Sequence, residues 1–222
     1  MNTRTESPWS APDTVAGFVK SAPNPVLMRY AERRKPDLAE ARVLDIGCGA
    51  GRNAVPLAAQ GWHVVGTDSS WPMLHAASAR RVDRRLQLVM APMHAIPLAT
   101  GIADLIVAHG IWNLARSARE FRQGVGEAAR VARSGAALFV FTFSRTTLPV
   151  DVEPVAGEAF VFTQFSGAPQ CFLTSQQLLA ELGAAGFTPD PDLPLRELNR
   201  PSPGSLPTAG GPVIYEGGFL LR

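Results

Sequence analysis

The sequence is short of the features that mark several protein classes. It has two cysteines, Cys48 and Cys171, too few for a disulfide framework and without partners at metal-ligand spacing, so no metal centre is expected. No run approaches the roughly 20 apolar residues that a membrane span needs. The opening MNTRTESPWSAPDT has no apolar stretch behind its arginine, which predicts a soluble, unexported, cytoplasmic protein without membrane contact. Charge of one sign is scarce too. The 21 Lys and Arg stand against 19 Asp and Glu, a net charge of +2, so the pI near 8.8 comes from near-balance and gives no reason to expect a nucleic-acid partner. Internal repeats and disordered blocks are missing, because the 19 Pro and 20 Gly recur between short apolar runs as punctuation of a fold.

What is present is globular: 46% hydrophobic and 18% charged residues in 222 positions, against roughly 150 residues for a typical domain, predict one domain over 1–222. Short β-branched runs predict strands at Arg42 to Ile46, His63 to Thr67, Leu86 to Met90, Asp104 to Ala108 and Ala136 to Phe143. Between them, Asn53 to Ala59, Trp71 to Arg80 and Ala115 to Ala132 read as helices, the last because Phe121, Val125, Ala128 and Ala132 recur at helical spacing. Ser69 or Ser70 is the natural cap of the second helix. Such alternation means right-handed βαβ units, hence an α/β fold with a mostly parallel sheet covered on both faces. After Ser144 the alternation lapses into a Pro- and Gly-broken stretch. Thr174 and Gln177 then form a capping-box pattern opening a helix to Gly186, and Leu195 to Leu198 with Val213 to Leu221 predict an antiparallel pair around the turn-rich Pro201 to Pro212.

The informative piece is Asp45-x-Gly47-x-Gly49-x-Gly51 between a strand and a helix, with Asp68 at the tip of the next strand. Glycines let a ligand press on bare backbone, and the helix start behind them offers free N–H groups to an anionic moiety. An acidic side chain 17 positions past Gly51 can accept from both hydroxyls of a ribose. Together they describe a pocket for an adenosine-like ligand; the plain alternatives are a tight turn without a ligand, and Asp68 as a simple helix cap. A dinucleotide fingerprint wants its third glycine one position later, where Arg52 stands.

On these residues, and most strongly over VLDIGCGAGRNAVPLAAQGWHVVGTDSSWPML, the sequence resembles the class I S-adenosylmethionine-dependent methyltransferases from about Val43 to the C-terminal hairpin. The resemblance implies a doubly wound, mostly parallel seven-stranded sheet with an antiparallel C-terminal strand. It implies S-adenosylmethionine as cofactor, S-adenosylhomocysteine as product and no metal. Asp45, Gly47, Gly49 and Gly51 are then expected to hold the methionine part and Asp68 the ribose, with Ser69 and Met73 bordering the adenine. The family usually offers the adenine amino group an acidic side chain where Pro92 stands here, so backbone near Met93 and His94 is expected to serve instead. Ala108 ends the fourth strand beside the cofactor. On this reading 1–41 is an N-terminal cover and substrate segment, 42–143 the cofactor core, 144–173 an insertion, and 174–222 the C-terminal helix and hairpin.

Methyl transfer from a sulfonium needs a nucleophile held at near-attack distance and water kept out, so an obvious triad is not required. His109, directly after the fourth strand, is the candidate catalytic group, either as a base or by shaping the pocket. Trp9, Phe18, Asn24, Tyr30 and Trp112 are candidate acceptor walls, with Trp9 to Tyr30 forming a mobile cover and Phe160, Phe162, Phe165 and Phe172 facing the cleft from the insertion. Arg52, Arg145 or Arg196 is placed to meet an acceptor carboxylate. The segment after the fourth strand lacks the Asn/Asp-Pro-Pro-aromatic motif that holds a flipped base, which argues against nucleic acid. The expected activity is methylation of a small molecule on sulfur, nitrogen or oxygen by a monomer or homodimer. A non-catalytic cofactor binder acting through a partner and a nucleotide-dependent oxidoreductase are the rival readings.

Overall fold

The computed structural model describes residues 8–81, 84–199 and 211–222. Most of the predicted turn-rich stretch before Pro212, and the first seven residues of the N-terminal segment, lie outside them.

Five strands run parallel: β1 (Arg42–Ile46), β2 (His63–Asp68), β3 (Leu86–Met90), β4 (Ala103–His109) and β5 (Ala132–Phe143). β1 is buried over all but its first residue, as a central parallel strand covered on both faces must be. Helices α3 (Ala54–Ala59), α4 (Trp71–Ala79) and α5 (Ala118–Val131) connect them. The late elements are the short strands β6 (Val161–Phe162) and β7 (Gln170–Cys171), helix α6 (Ser175–Ala184), and β8 (Phe187–Pro189), β9 (Arg196–Leu198) and β10 (Ile214–Leu221).

The sheet order is β3-β2-β1-β4-β5-β10-β8, with β9 also pairing β10. Strand β10 is antiparallel to β5, β8 and β9. The doubly wound, mostly parallel sheet is as expected, but it has eight strands: β8 was not anticipated, because its three residues follow Gly186 too closely to show a period of their own. Strand order reverses between β1 and β4, which opens a crevice at their carboxyl ends. One large cluster, including Trp112, Phe121, Leu138 and Phe160, packs under α5 and α6, and a second, including Leu27, Tyr30, Trp62 and Phe139, packs under α3 and the helix over Pro25–Arg34.

Three boundaries shift for physical reasons. Helix α5 begins at Ala118 because the Ser117 hydroxyl accepts from the Glu120 N–H at 3.1 Å, while Trp112–Leu114 forms a separate 3-10 turn. Strand β5 starts four residues early, at Ala132, across a register shift against β4. The N-terminal stretch is helical: α1 (Pro12–Lys20) and α2 (Pro25–Arg34) both open on proline, whose fixed φ suits a first turn. The sparse apolar residues there hid this. Helix α2 buries Leu27, Tyr30 and Ala31 whereas α1 buries none, so α2 belongs to the core and not to the expected cover from Trp9 to Tyr30.

Candidate functional site

The crevice between β1 and β4 is floored by the glycine loop. Gly47 (φ 70°) and Gly51 (φ 76°) hold left-handed backbone, and at Gly47 a Cβ would stand 2.6 Å from the Ile111 side chain. At Gly51 it would meet Val55 at 2.9 Å and Ala77 at 3.2 Å. Gly51→Ala is therefore expected to cost about 1–3 kcal/mol, read as a lower urea midpoint; an unmoved midpoint would show that the loop gives way freely. Arg80, just past the end of α4, reaches this loop and donates to the Ala50 carbonyl at 2.7 Å.

Two carboxylates flank the loop. Asp45, 2% exposed at the end of β1, has one oxygen with no hydrogen-bond partner among the described residues. Burial, and next the charge of Asp68, push its carboxyl up to about 8, partly offset by the Ala54 N–H. Asp68 accepts from the Gly49 N–H at 2.9 Å and the Ser70 N–H at 2.8 Å, so its carboxylate is fixed at the loop's edge. Burial raises its pKa against the lowering pull of these N–H groups. Ser70 caps α4 in position only; its hydroxyl donates to the Trp9 carbonyl at 3.1 Å. Met73 and Phe18 approach Gly49, Phe18 from α1 and Met73 from α4, and Trp9 meets Phe18 edge-on at 5.9 Å.

On the β4 side, His109 lies flat on Phe141 at 4.2 Å and 9°. Burial, then the charge of Arg52, push its ring down to about 4, so the imidazole is neutral at physiological pH. Asn24 Nδ2 lies 3.2 Å from His109 Nε2 and donates to Glu216 Oε2 at 2.8 Å. Asn24 Oδ1 meanwhile accepts from the N–H groups of Val26 and Leu27 and caps α2.

Asp45, Gly47, Gly49, Gly51, Asp68, Ser69, Met73, His109, Phe18, Trp9 and Asn24 thus gather around one crevice, while Ala108, next to last in β4, is buried in the core. The expectations for Tyr30, Trp112, Arg145 and the phenylalanines of the insertion are corrected. Tyr30 is buried beneath α2, where its hydroxyl donates to Asp190 at 2.8 Å; burial and that carboxylate raise its pKa far above a free phenol's. Trp112, 1% exposed, packs edge-on against Phe121 in the core. Arg145 spends its guanidinium on the carbonyls of Leu148, Pro149, Val150 and Val152 and lies over the Phe162 ring. The side chain of Met93 is buried against α5 and that of His94 lies 3.5 Å from Glu120, so only their backbone remains for a ligand. Phe162, Phe165 and Phe172 pack on one another and Phe160 on Phe121. Of the three arginines, Arg52 is the one near His109, and its Nε donates to the Ala22 carbonyl at 2.6 Å. Glu216, Phe141 and Asn53 went unnoticed, since nothing local in the sequence links β10 and β5 to residue 24.

The comparisons with known proteins agree with this geometry. A family profile described as a methyltransferase domain matches residues 44–140. A demethylmenaquinone methyltransferase of Corynebacterium urealyticum is 34% identical over 55% of this chain, a match that spans about half, 51%, of that relative. A ubiquinone biosynthesis O-methyltransferase of Xylella fastidiosa is 31% identical over 74% of this chain and 67% of its own length. In fold, the chain is similar to a Burkholderia thailandensis 1,6-didemethyltoxoflavin-N1-methyltransferase solved with 1,6-didemethyltoxoflavin and S-adenosylhomocysteine, at a TM-score of 0.64 and 19% identity over 88% of this chain and 78% of that one. The compact glycine loop, the acidic residues that flank it and a relative matched over two thirds of its length lead to one family, which sets the oxidoreductase reading aside: this chain belongs to the class I S-adenosylmethionine-dependent methyltransferases.

Proposed function

We propose that the protein methylates a small, weakly charged acceptor whose nucleophilic atom is already acidic, at the crevice between β1 and β4. S-adenosylmethionine, when bound, supplies a methyl carbon activated by its sulfonium centre. The residues present fit that group. The buried oxygen of Asp45, unpartnered among the described residues, calls for a donor, and an amino-acid ammonium is one. The open backbone of the loop and the fixed carboxylate of Asp68 suit a ribose.

The neutrality of His109 carries the choice of acceptor. A ring held down to about 4 has little driving force to take a proton from an alcohol or a protonated amine, so turnover falls to nucleophiles that ionise readily. Phenols, enols and thiols qualify. The flat stack of the His109 and Phe141 rings favours a planar acceptor, and the quinone-related names of the relatives point the same way.

The decisive measurement is release of S-adenosylhomocysteine across a panel of quinols, phenols, thiols, aliphatic alcohols, transfer RNA and protein. Quinols and phenols are expected to turn over and aliphatic alcohols to fail. Turnover confined to RNA or protein would sink the small-acceptor reading, and tight cofactor binding without turnover of any kind would favour a non-catalytic binder.

A further inference from the structure

Asn24 spends all of its hydrogen-bonding capacity inside the protein. Its backbone N–H donates to Asn53 Oδ1 at 3.0 Å. Its side-chain oxygen takes the N–H groups of Val26 at 2.8 Å and Leu27 at 3.1 Å, which fixes which end of the amide is nitrogen. The nitrogen therefore points at Glu216 Oε2 and His109 Nε2, at 2.8 and 3.2 Å. An amide nitrogen can only donate, so Nε2 of His109 has to be the bare ring nitrogen and the ring proton sits on Nδ1.

Strand register explains why these groups meet. His109 pairs with Phe141, and Phe141 with Glu216, so the three side chains stand in a row on one sheet face. Asn24 drops onto that row from the strap between α1 and α2. The strap is held at its other side by Arg52 on the Ala22 carbonyl and by Asn53, the two residues that follow the last glycine of the loop. Asn24 is 6% exposed and Glu216 8%, so water does not compete strongly for these bonds.

We propose that Asn24 is a positioning residue: anchored by Glu216, it locks His109 as the Nδ1-protonated neutral ring and thereby ties the strap and the glycine loop to the acceptor side of the crevice. The inference rests on the proposed reading of the site, but its primary readout does not. The groups facing His109 are Arg52 after the glycine loop, Asn24 on the strap, Phe139 and Phe141 on β5 and, through Asn24, Glu216 on β10. Among them only the amide dictates the tautomer. An aspartate would still cap α2, since its oxygen can accept from Val26 and Leu27, yet it has no N–H to give.

The test is nitrogen-15 NMR of the histidine rings in the full chain, with the His109 signals assigned by their loss in His109→Gln. In the wild-type protein His109 should show the Nδ1-protonated tautomer and stay neutral from pH 8 to below 5. Asn24→Asp should turn the ring into a donor, raising its midpoint by at least two pH units into the neutral range. Asn24→Asp combined with Glu216→Gln relieves the like charges that the single change creates and should keep the raised midpoint. Glu216→Gln alone leaves an oxygen for Asn24 and should leave His109 unmoved. A wild-type Nε2-protonated tautomer would overturn the proposal whether or not any variant folds, and so would an unchanged midpoint in either Asn24→Asp protein. In turnover, Asn24→Asp should lower kcat at least tenfold while the dissociation constant for S-adenosylhomocysteine moves less than threefold. Failure of the wild-type protein to bind S-adenosylhomocysteine would instead strike the underlying reading and leave the tautomer result standing.

Discussion

Asp68→Ala should weaken S-adenosylhomocysteine binding by roughly thirty- to a thousandfold, equivalent to about 2–4 kcal/mol, with the fold retained. The carboxylate oxygens hold the backbone N–H groups of Gly49, Ser69 and Ser70, and about four lone pairs leave room for a ribose hydroxyl as well. The alanine therefore removes the ligand's acceptor and also frees the loop that would cradle it. Asp68→Asn is a sharper probe, because its oxygen can keep Ser70 while its amide faces the Gly49 N–H, donor against donor. Calorimetry gives the affinity and thermal unfolding the fold. If Kd stays put while the melting temperature falls, Asp68 anchors the loop and does nothing more.

The second large effect is a pH dependence of cofactor affinity set by Asp45. Its carboxyl is raised from 3.8 to about 8 in the folded chain, so between those values the native protein keeps a proton that the unfolded chain has lost. Its contribution to stability is thus complete below about pH 4 and is lost as pH rises through 8, at up to about 1.4 kcal/mol per unit. An ammonium placed against that oxygen favours the carboxylate, and binding then expels the proton. Affinity for S-adenosylhomocysteine should climb by up to about tenfold per unit from pH 6 to 8 and flatten above. Calorimetry in buffers of different ionisation enthalpy should count close to one proton released at pH 7. Asp45→Asn should bind weakly at pH 8 and lose the slope. A flat affinity between pH 6 and 8 in the wild-type protein would mean that Asp45 is ionised throughout and meets no cation.

Legibility followed the range of the interactions. The five parallel strands and the capping box at Thr174 and Gln177 were readable because burial period and cap chemistry are local. The glycine loop was readable because left-handed backbone restricts residue choice. Asn24, Glu216 and Phe141 were not readable together: they meet only through strand register and a helix cap, across 192 positions in the case of Asn24 and Glu216. Trp112 misled because a tryptophan beside a strand end serves core and cleft equally well in sequence, and packing against Phe121 decided it. Arg145 misled similarly; neighbouring carbonyls claimed its charge before any acceptor could.

Helix α1 carries a kinetic consequence. Its nine residues bury nothing completely, and hydrogen bonds to the Trp9 and Ala22 carbonyls lie at its two ends. A helix that short does not persist alone in water, so parting from α4 amounts to melting it, at the low end of local opening free energies. Helix re-formation takes on the order of a microsecond, whereas typical enzymes turn over about ten times per second. Re-forming α1 is therefore too fast by itself to limit a catalytic cycle of ordinary speed.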